Sequence, residues 1–147
     1  MNAAHTKKLV EDFPELFYYY KHREGTVLVP MAFGFECGDG WFELIYNLSK
    51  DIVAMDDHVQ AAQVKEKFGG LRFYINGTRR PEVFDRINEA EQASYSVCEL
   101  CGKPGKPNSD GWIQTLCPDC RRKKKHKEVL FHRSMKRPPT VKEGALA

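Results

Sequence analysis

The chain has 147 residues, 41% of them apolar, and a net charge of +3. This is enough apolar material for one modest core, with length left over for a small appended module. No stretch approaches the roughly 20 apolar residues of a spanning helix, which argues against a membrane protein, and no apolar signal core follows Met1-Asn2-Ala3-Ala4-His5-Thr6-Lys7-Lys8, so the chain reads as a cytoplasmic, intracellular protein.

The first predicted element is a short aromatic-faced helix. Leu16, Phe17 and Tyr20, with Phe13 just before Pro14, fall at helical spacing, and Gly25 with the extended run Thr26-Val27-Leu28-Val29 ends it. Tyr18 and Tyr19 lie off that face and read as side coverage of the core. Asp39 then stands where it can cap a helix whose Trp41, Leu44, Ile45, Leu48 and Ile52 form one apolar stripe. Asp56-Asp57-His58, which with Glu36 or Asp39 could hold a hard metal ion, reads as a loop between helix and strand.

A hairpin follows. Gln63-Val64-Lys65-Glu66-Lys67-Phe68 and Leu71-Arg72-Phe73-Tyr74-Ile75 flank Gly69-Gly70, a dipeptide able to take the positive φ of a two-residue turn. That turn predicts Phe68 opposite Leu71, Glu66 opposite Phe73 and Val64 opposite Ile75, with Lys65, Lys67, Arg72 and Tyr74 on the other face. An aromatic among three cations can receive a nucleic-acid strand, although a solvated sheet face accounts for the same pattern. Glu66 is the exception on the apolar face. It must find a cation, titrate upward or reach water at the sheet margin. After Pro81, a helix with Val83, Phe84, Ile87, Ala90 and Val97 at helical spacing runs directly into Cys98.

The strongest chemical signal lies there. Cys98-Glu99-Leu100-Cys101-Gly102 and Cys117-Pro118-Asp119-Cys120 are two Cys-x2-Cys pairs separated by fifteen residues, the spacing of a four-thiolate structural zinc site. Two disulfides would need an oxidising compartment, for which the chain carries no address. Gly102 suits a tight knuckle, the interval 103–111 is dense in turn formers, Trp112-Ile113-Gln114-Thr115-Leu116 reads as a strand, and Pro118 suits a first helical turn. Knuckle, hairpin and helix form the treble-clef order. Cys37 is left over and reads as a free, buried thiol.

Charge is lopsided beyond the second pair. Residues 121–147 hold ten Lys or Arg against two acidic residues, a net of +8, so residues 1–120 carry −5 to reach the total of +3. Arg121, Arg122, Lys123, Lys124, Lys125 and Lys127 concentrate this charge on a helix leaving the zinc site, an electrostatic footprint for phosphate, although a solvated basic tail or a surface for an acidic protein accounts for the same run. Arg137-Pro138-Pro139-Thr140 and Gly144-Ala145-Leu146-Ala147 read as a disordered end.

The expected architecture is therefore α+β: a small helix, hairpin and helix domain over 1–97, a treble-clef zinc module with its basic helix over 98–127, and a basic tail over 128–147. The zinc segment resembles a GATA-type treble clef in the glycine after its first pair and in the Trp-x3-Leu-Cys-x2-Cys approach to its second. Over residues 30–121 the chain also resembles small zinc-binding proteins of phages and prophages, through Gly34-Phe35-Glu36-Cys37-Gly38-Asp39-Gly40-Trp41-Phe42, the hairpin and the Cys-x2-Cys-Gly module. That resemblance implies a host factor as partner and assigns no activity.

Four thiolates close the coordination sphere of zinc, and no phosphate loop or serine elbow is present, so the sequence points away from catalysis. A metal-dependent nuclease is the minor alternative, with His126 and His132 the only histidines after Cys98. The leading expectation is a structural zinc ion and nucleic-acid binding, DNA or RNA, through the basic helix. The alternative is a protein partner such as a host polymerase or defence component, contacted through the aromatic N-terminal helix and the segment containing Glu36, Asp39 and Trp41.

Overall fold

The computed structural model describes residues 1–18, 31 and 33–136. Among them are four α-helices and two small sheets, an α+β arrangement. Helix α1 spans Ala3–Asp12, β1 Phe35–Glu36, α2 Phe42–Met55, β2 Gln60–Lys67, β3 Gly70–Asn76, α3 Pro81–Ser94, β4 Lys106–Pro107, β5 Thr115–Leu116 and α4 Pro118–Met135. Strands β1, β2 and β3 form one sheet in that order, and β4 pairs with β5 in the other.

The N-terminal helix lies earlier than its aromatic residues suggest. Asn2 caps α1 by accepting the His5 N–H at 2.8 Å. The helix stops at Asp12, because Phe13 precedes a proline and is disfavoured from helical backbone. Phe13, Leu16 and Phe17 are buried all the same, delivered by a turn after the helix. Tyr18 is 41% exposed, more than core coverage requires. Tyr19, Tyr20, Gly25 and the run 26–29 lie outside the described residues.

Asp39 does not cap the helix that follows it. It opens a single 3-10 turn, Asp39–Trp41, and Trp41 stands at the N-cap of α2. The Asp39 carboxylate instead accepts the Asn2 N–H at 2.6 Å and meets His5 Nδ1 at 2.9 Å, binding the start of α1 to this turn. These contacts, the Asn2 amide first, hold its carboxyl below the usual carboxylate range. The His5 ring stacks on Phe42 with centroids 4.0 Å apart. The predicted stripe is core: Trp41, Ile45, Leu48 and Ile52 are fully buried, with Leu44 packed at its edge.

Helix α2 carries the chain from β1 to β2, which run parallel with Phe35 opposite Val64; such a pairing requires a crossover of this kind. The hairpin forms in a register two residues from the predicted one. Lys67 pairs with Gly70, Glu66 with Leu71, Lys65 with Arg72, Val64 with Phe73 and Gln63 with Tyr74. The turn residues are Phe68 and Gly69, with φ of 54° and 82°, rather than Gly69 and Gly70. Gly70 is needed in the strand, since a Cβ there would lie 2.5 Å from the Tyr95 ring. A shift of two keeps Val64, Leu71 and Phe73 on their expected face. Val64, Leu71 and Phe73 are buried, whereas Phe68 is 65% exposed and not part of the core. Glu66 resolves at the sheet margin, where its carboxylate accepts the Gly69 N–H at 2.7 Å and closes the turn.

Helix α3 buries Val83, Ile87 and Ala90, and Phe84 turns outward at 43% exposure. Its last residue, Ser94, is fully buried and accepts the Leu71 N–H at 2.9 Å, fastening the edge strand to the helix. Asp51 on α2 pairs with Arg86 on α3 at 2.8 Å. The helix does not run into Cys98; Tyr95 to Val97 turn first, and Val97 bridges to Pro104. Helix α4 continues past residue 127 to Met135, so 128–135 is helical rather than tail. The expected disordered end from Arg137 lies outside the described residues.

Because Trp41 is fully buried and donates from Nε1 to the Val97 carbonyl at 2.8 Å, it joins core to module. Trp41→Ala should cost about 3–5 kcal/mol. Urea unfolding followed by circular dichroism measures this, and a cost below about 1 kcal/mol would contradict the packing.

Candidate metal centre and its basic helix

The four paired cysteines converge. Their sulphurs lie within 4.8 Å of one another, and Cys101 Sγ stands 3.6 Å from Cys117 Sγ. No two are bonded. The cluster is compatible with one four-coordinate metal ion. Each half is built locally. In the first, Cys98 N–H donates to the Lys103 carbonyl at 2.8 Å and Gly102 N–H to the Cys98 carbonyl at 2.9 Å. Gly102 takes φ of 78°, a left-handed turn that redirects the chain just after Cys101. In the second, Cys117 is the N-cap of α4 and its sulphur accepts the Cys120 N–H at 3.4 Å. That helix-terminal amide is the main cause lowering the Cys117 thiol to about 7.

The centre is fastened to the domain from two sides. Gly40 N–H donates to the Glu99 carbonyl at 2.8 Å, and Gly38 N–H to the Glu99 carboxylate at 3.1 Å. A Cβ on Gly40 would sit 2.1 Å from the Cys98 carbonyl oxygen and 2.6 Å from Gly102 N, so glycine alone permits this approach. From the hairpin turn, the Gly69 carbonyl accepts the Thr115 hydroxyl at 2.6 Å. Glu99 is only 6% exposed, and burial pushes its carboxyl up against the opposing hydrogen bonds from Gln114 and Gly38. Gln114 donates to that carboxylate at 3.2 Å while its own carbonyl oxygen accepts from Lys124 at 2.9 Å, linking knuckle to helix. The sequence reading passed over Glu99, Gln114 and Thr115; a carboxylate between two metal-type cysteines and a Gly-x-Gly before a buried tryptophan were the available signals.

The basic residues divide by what they touch. Arg121 donates to the carbonyls of Lys106 at 2.6 Å and Leu116 at 3.4 Å, Arg122 pairs with Asp119, and Lys124 is held by Gln114. Lys123, Lys125 and Lys127 are exposed, with no ion pair among the described residues. On the hairpin, Lys65 is half-buried, Lys67 lies over the Phe68 ring at 5.6 Å and Tyr74 is 45% exposed. Arg72 does not contribute a free cation there. It pairs with Glu91 at 2.5 Å and touches the Tyr95 hydroxyl, because α3 lies along the strand and supplies the carboxylate.

The segment expected to contact a protein is only partly at the surface. Trp41 is buried, Asp39 is engaged with α1, and Gly38 and Gly40 lie against the knuckle; Glu36 is exposed and accepts from Gln63 at 3.2 Å. Cys37 is buried, and desolvation drives its thiol up to about 12, which keeps it protonated and unreactive at neutral pH. Asp56, Asp57 and His58 do cluster, with His58 and Asp57 at the surface. Among the described residues no helix is long and apolar enough to cross a membrane.

Comparison of the chain with family models, curated proteins and solved structures finds no match in any of the three.

Two outcomes test the fastening. Stripping the centre with a chelator should remove hydrogen-exchange protection from residues after Val97 while the amides of α2 and β2 stay protected, because metal-binding and folding free energy are one quantity in such a module. Gly40→Ala should weaken metal retention in chelator competition by about 10–100-fold, the loss typical when a support of the ligands is removed.

Proposed function

We propose that the four cysteines hold one structural zinc ion in a treble-clef module, and that this module presents α4 to nucleic acid. The sulphur geometry supports zinc: Zn–S bonds of about 2.3 Å in a tetrahedron place sulphurs about 3.8 Å apart, close to the 3.6 Å between Cys101 and Cys117. The chain order supports the treble clef, with a knuckle at Cys98–Gly102, the short β4–β5 pair, and a helix whose first turn carries Cys120. With all four positions taken by thiolates, zinc would supply stability and no site for activated water, so the module binds rather than catalyses. His126 and His132 are exposed on α4 and join no metal-type cluster among the described residues.

The observation that carries the nucleic-acid reading is the set Lys123, Lys125 and Lys127, exposed and without an ion pair among the described residues, on a helix that begins at Cys117 and carries Cys120. Self-repulsion in such a run is relieved when phosphates replace its counterions. Of the surface named for the protein-partner alternative, Trp41 is buried and Gly40 lies against the knuckle, while Glu36 is exposed.

The test is fluorescence anisotropy of labelled DNA and RNA with the zinc-loaded full chain across a salt series. Binding should weaken steeply with salt, and changing Lys123, Lys125 and Lys127 together to Gln should reduce the log–log slope by about 2–3, near 0.7–0.9 per phosphate contact. Absence of binding to any nucleic acid at low salt would overturn the proposal.

A further inference from the structure

The interval between the two cysteine pairs forms more than a connector. Residues 106–114 and α4 enclose a groove of about 530 Å³, within the range of sites that hold small molecules. Trp112, Lys106, Arg121, Lys124 and Lys125 line it, together with Asp110 and Glu128. Four cations against two carboxylates leave a net of +2. Trp112 is 77% exposed, unusual for the largest apolar side chain.

This tryptophan stands on a hydrogen-bonded loop. The Asn108 side chain donates to the carbonyls of Asp110 and Trp112 and accepts the Gln114 N–H at 2.7 Å, clamping the loop on both sides of the indole. Gln114 in turn holds Lys124 at 2.9 Å and reaches Glu99 beside the metal ligands. The loop, Lys124 and the cysteine knuckle are one hydrogen-bonded frame that fixes the backbone carrying the indole.

We propose that this groove binds single-stranded nucleic acid, with one unstacked base lying on Trp112 and the adjoining phosphates met by Lys106, Lys124 and Lys125. The inference rests on the nucleic-acid reading above and deepens it by naming the strand form and the contact. An aromatic face flanked by cations is the arrangement that takes up a single strand, because any base offers a π-face and the backbone needs only charge. A duplex keeps its base faces stacked and has none to offer the indole. Asp110 and Glu128 suit the same occupant: they accept hydrogen bonds from exocyclic amino groups and repel a phosphate placed directly upon them.

The chain has two tryptophans, and Trp41 is buried, so a ligand on the groove reports through Trp112 alone. The zinc-loaded full chain is titrated at fixed salt with a 12-nucleotide single strand, with the matching duplex and with polyglutamate, following tryptophan emission and anisotropy. We expect the single strand to quench emission and to bind more tightly than the duplex. Trp112→Ala should weaken single-strand binding by about 5- to 150-fold, matching the stacking of one base, while the salt slope, the duplex affinity and the zinc content stay unchanged. Trp112→Phe should restore most of the loss.

Single-strand binding that survives Trp112→Ala, or that leaves the emission unchanged, overturns the proposal but not the basic-helix reading. Equal quenching by duplex or by polyglutamate overturns it as well, the latter pointing to an acidic protein partner. If no nucleic acid binds at any salt, both readings fall together.

Discussion

The contact between the Gly38–Trp41 turn and the Cys98–Gly102 knuckle organises the molecule. Three hydrogen bonds, from the amides of Gly38 and Gly40 and from the indole of Trp41, cross it within four residues. Backbone meets backbone at a separation that leaves no room for a Cβ on Gly40. The Trp41 side chain fills the main core, while its neighbours support the cysteines. The cysteine module is therefore seated directly against the domain, with no free linker between them among the described residues.

The second attachment works by the same means. The hairpin turn presents the Gly69 carbonyl to Thr115, a fully buried residue of β5. Glu66 closes that turn from within by accepting the Gly69 amide. The hairpin contributes its tip to the metal module and its apolar face to the core, and α3 neutralises Arg72 along its outer edge. What remains solvated is the distal basic charge of α4 and the groove beside it. The interior contacts engage the polar groups near the cysteines and leave Lys123, Lys125, Lys127 and Trp112 exposed.

Burial places the titratable groups in two kinds of setting. Cys37 and Glu99 are desolvated, so one remains a thiol and the other is pushed toward its neutral form. Cys117 sits at a helix N-terminus whose amide favours the thiolate, the form that binds metal. Burial thus keeps Cys37 protonated, while a helix-terminal amide lowers Cys117.

Local chemistry in the sequence determined the α+β composition, the Trp41 to Ile52 stripe, the two faces of the hairpin and the four clustering cysteines, because spacing and periodicity act over a few residues. The register of the hairpin, the site of α1, the parallel pairing of Phe35 with Val64 and the role of Asp39 were decided by tertiary structure. Gly70 is a strand residue because Tyr95 lies against it, and Asp39 serves α1 because the start of that helix is brought to it. The sequence marked Trp41 as core, yet only the fold shows that its indole holds the metal knuckle and that Trp112 is left to the solvent. Contacts between residues about twenty-five or more positions apart leave no period in a sequence; they exist only once the chain has closed on itself.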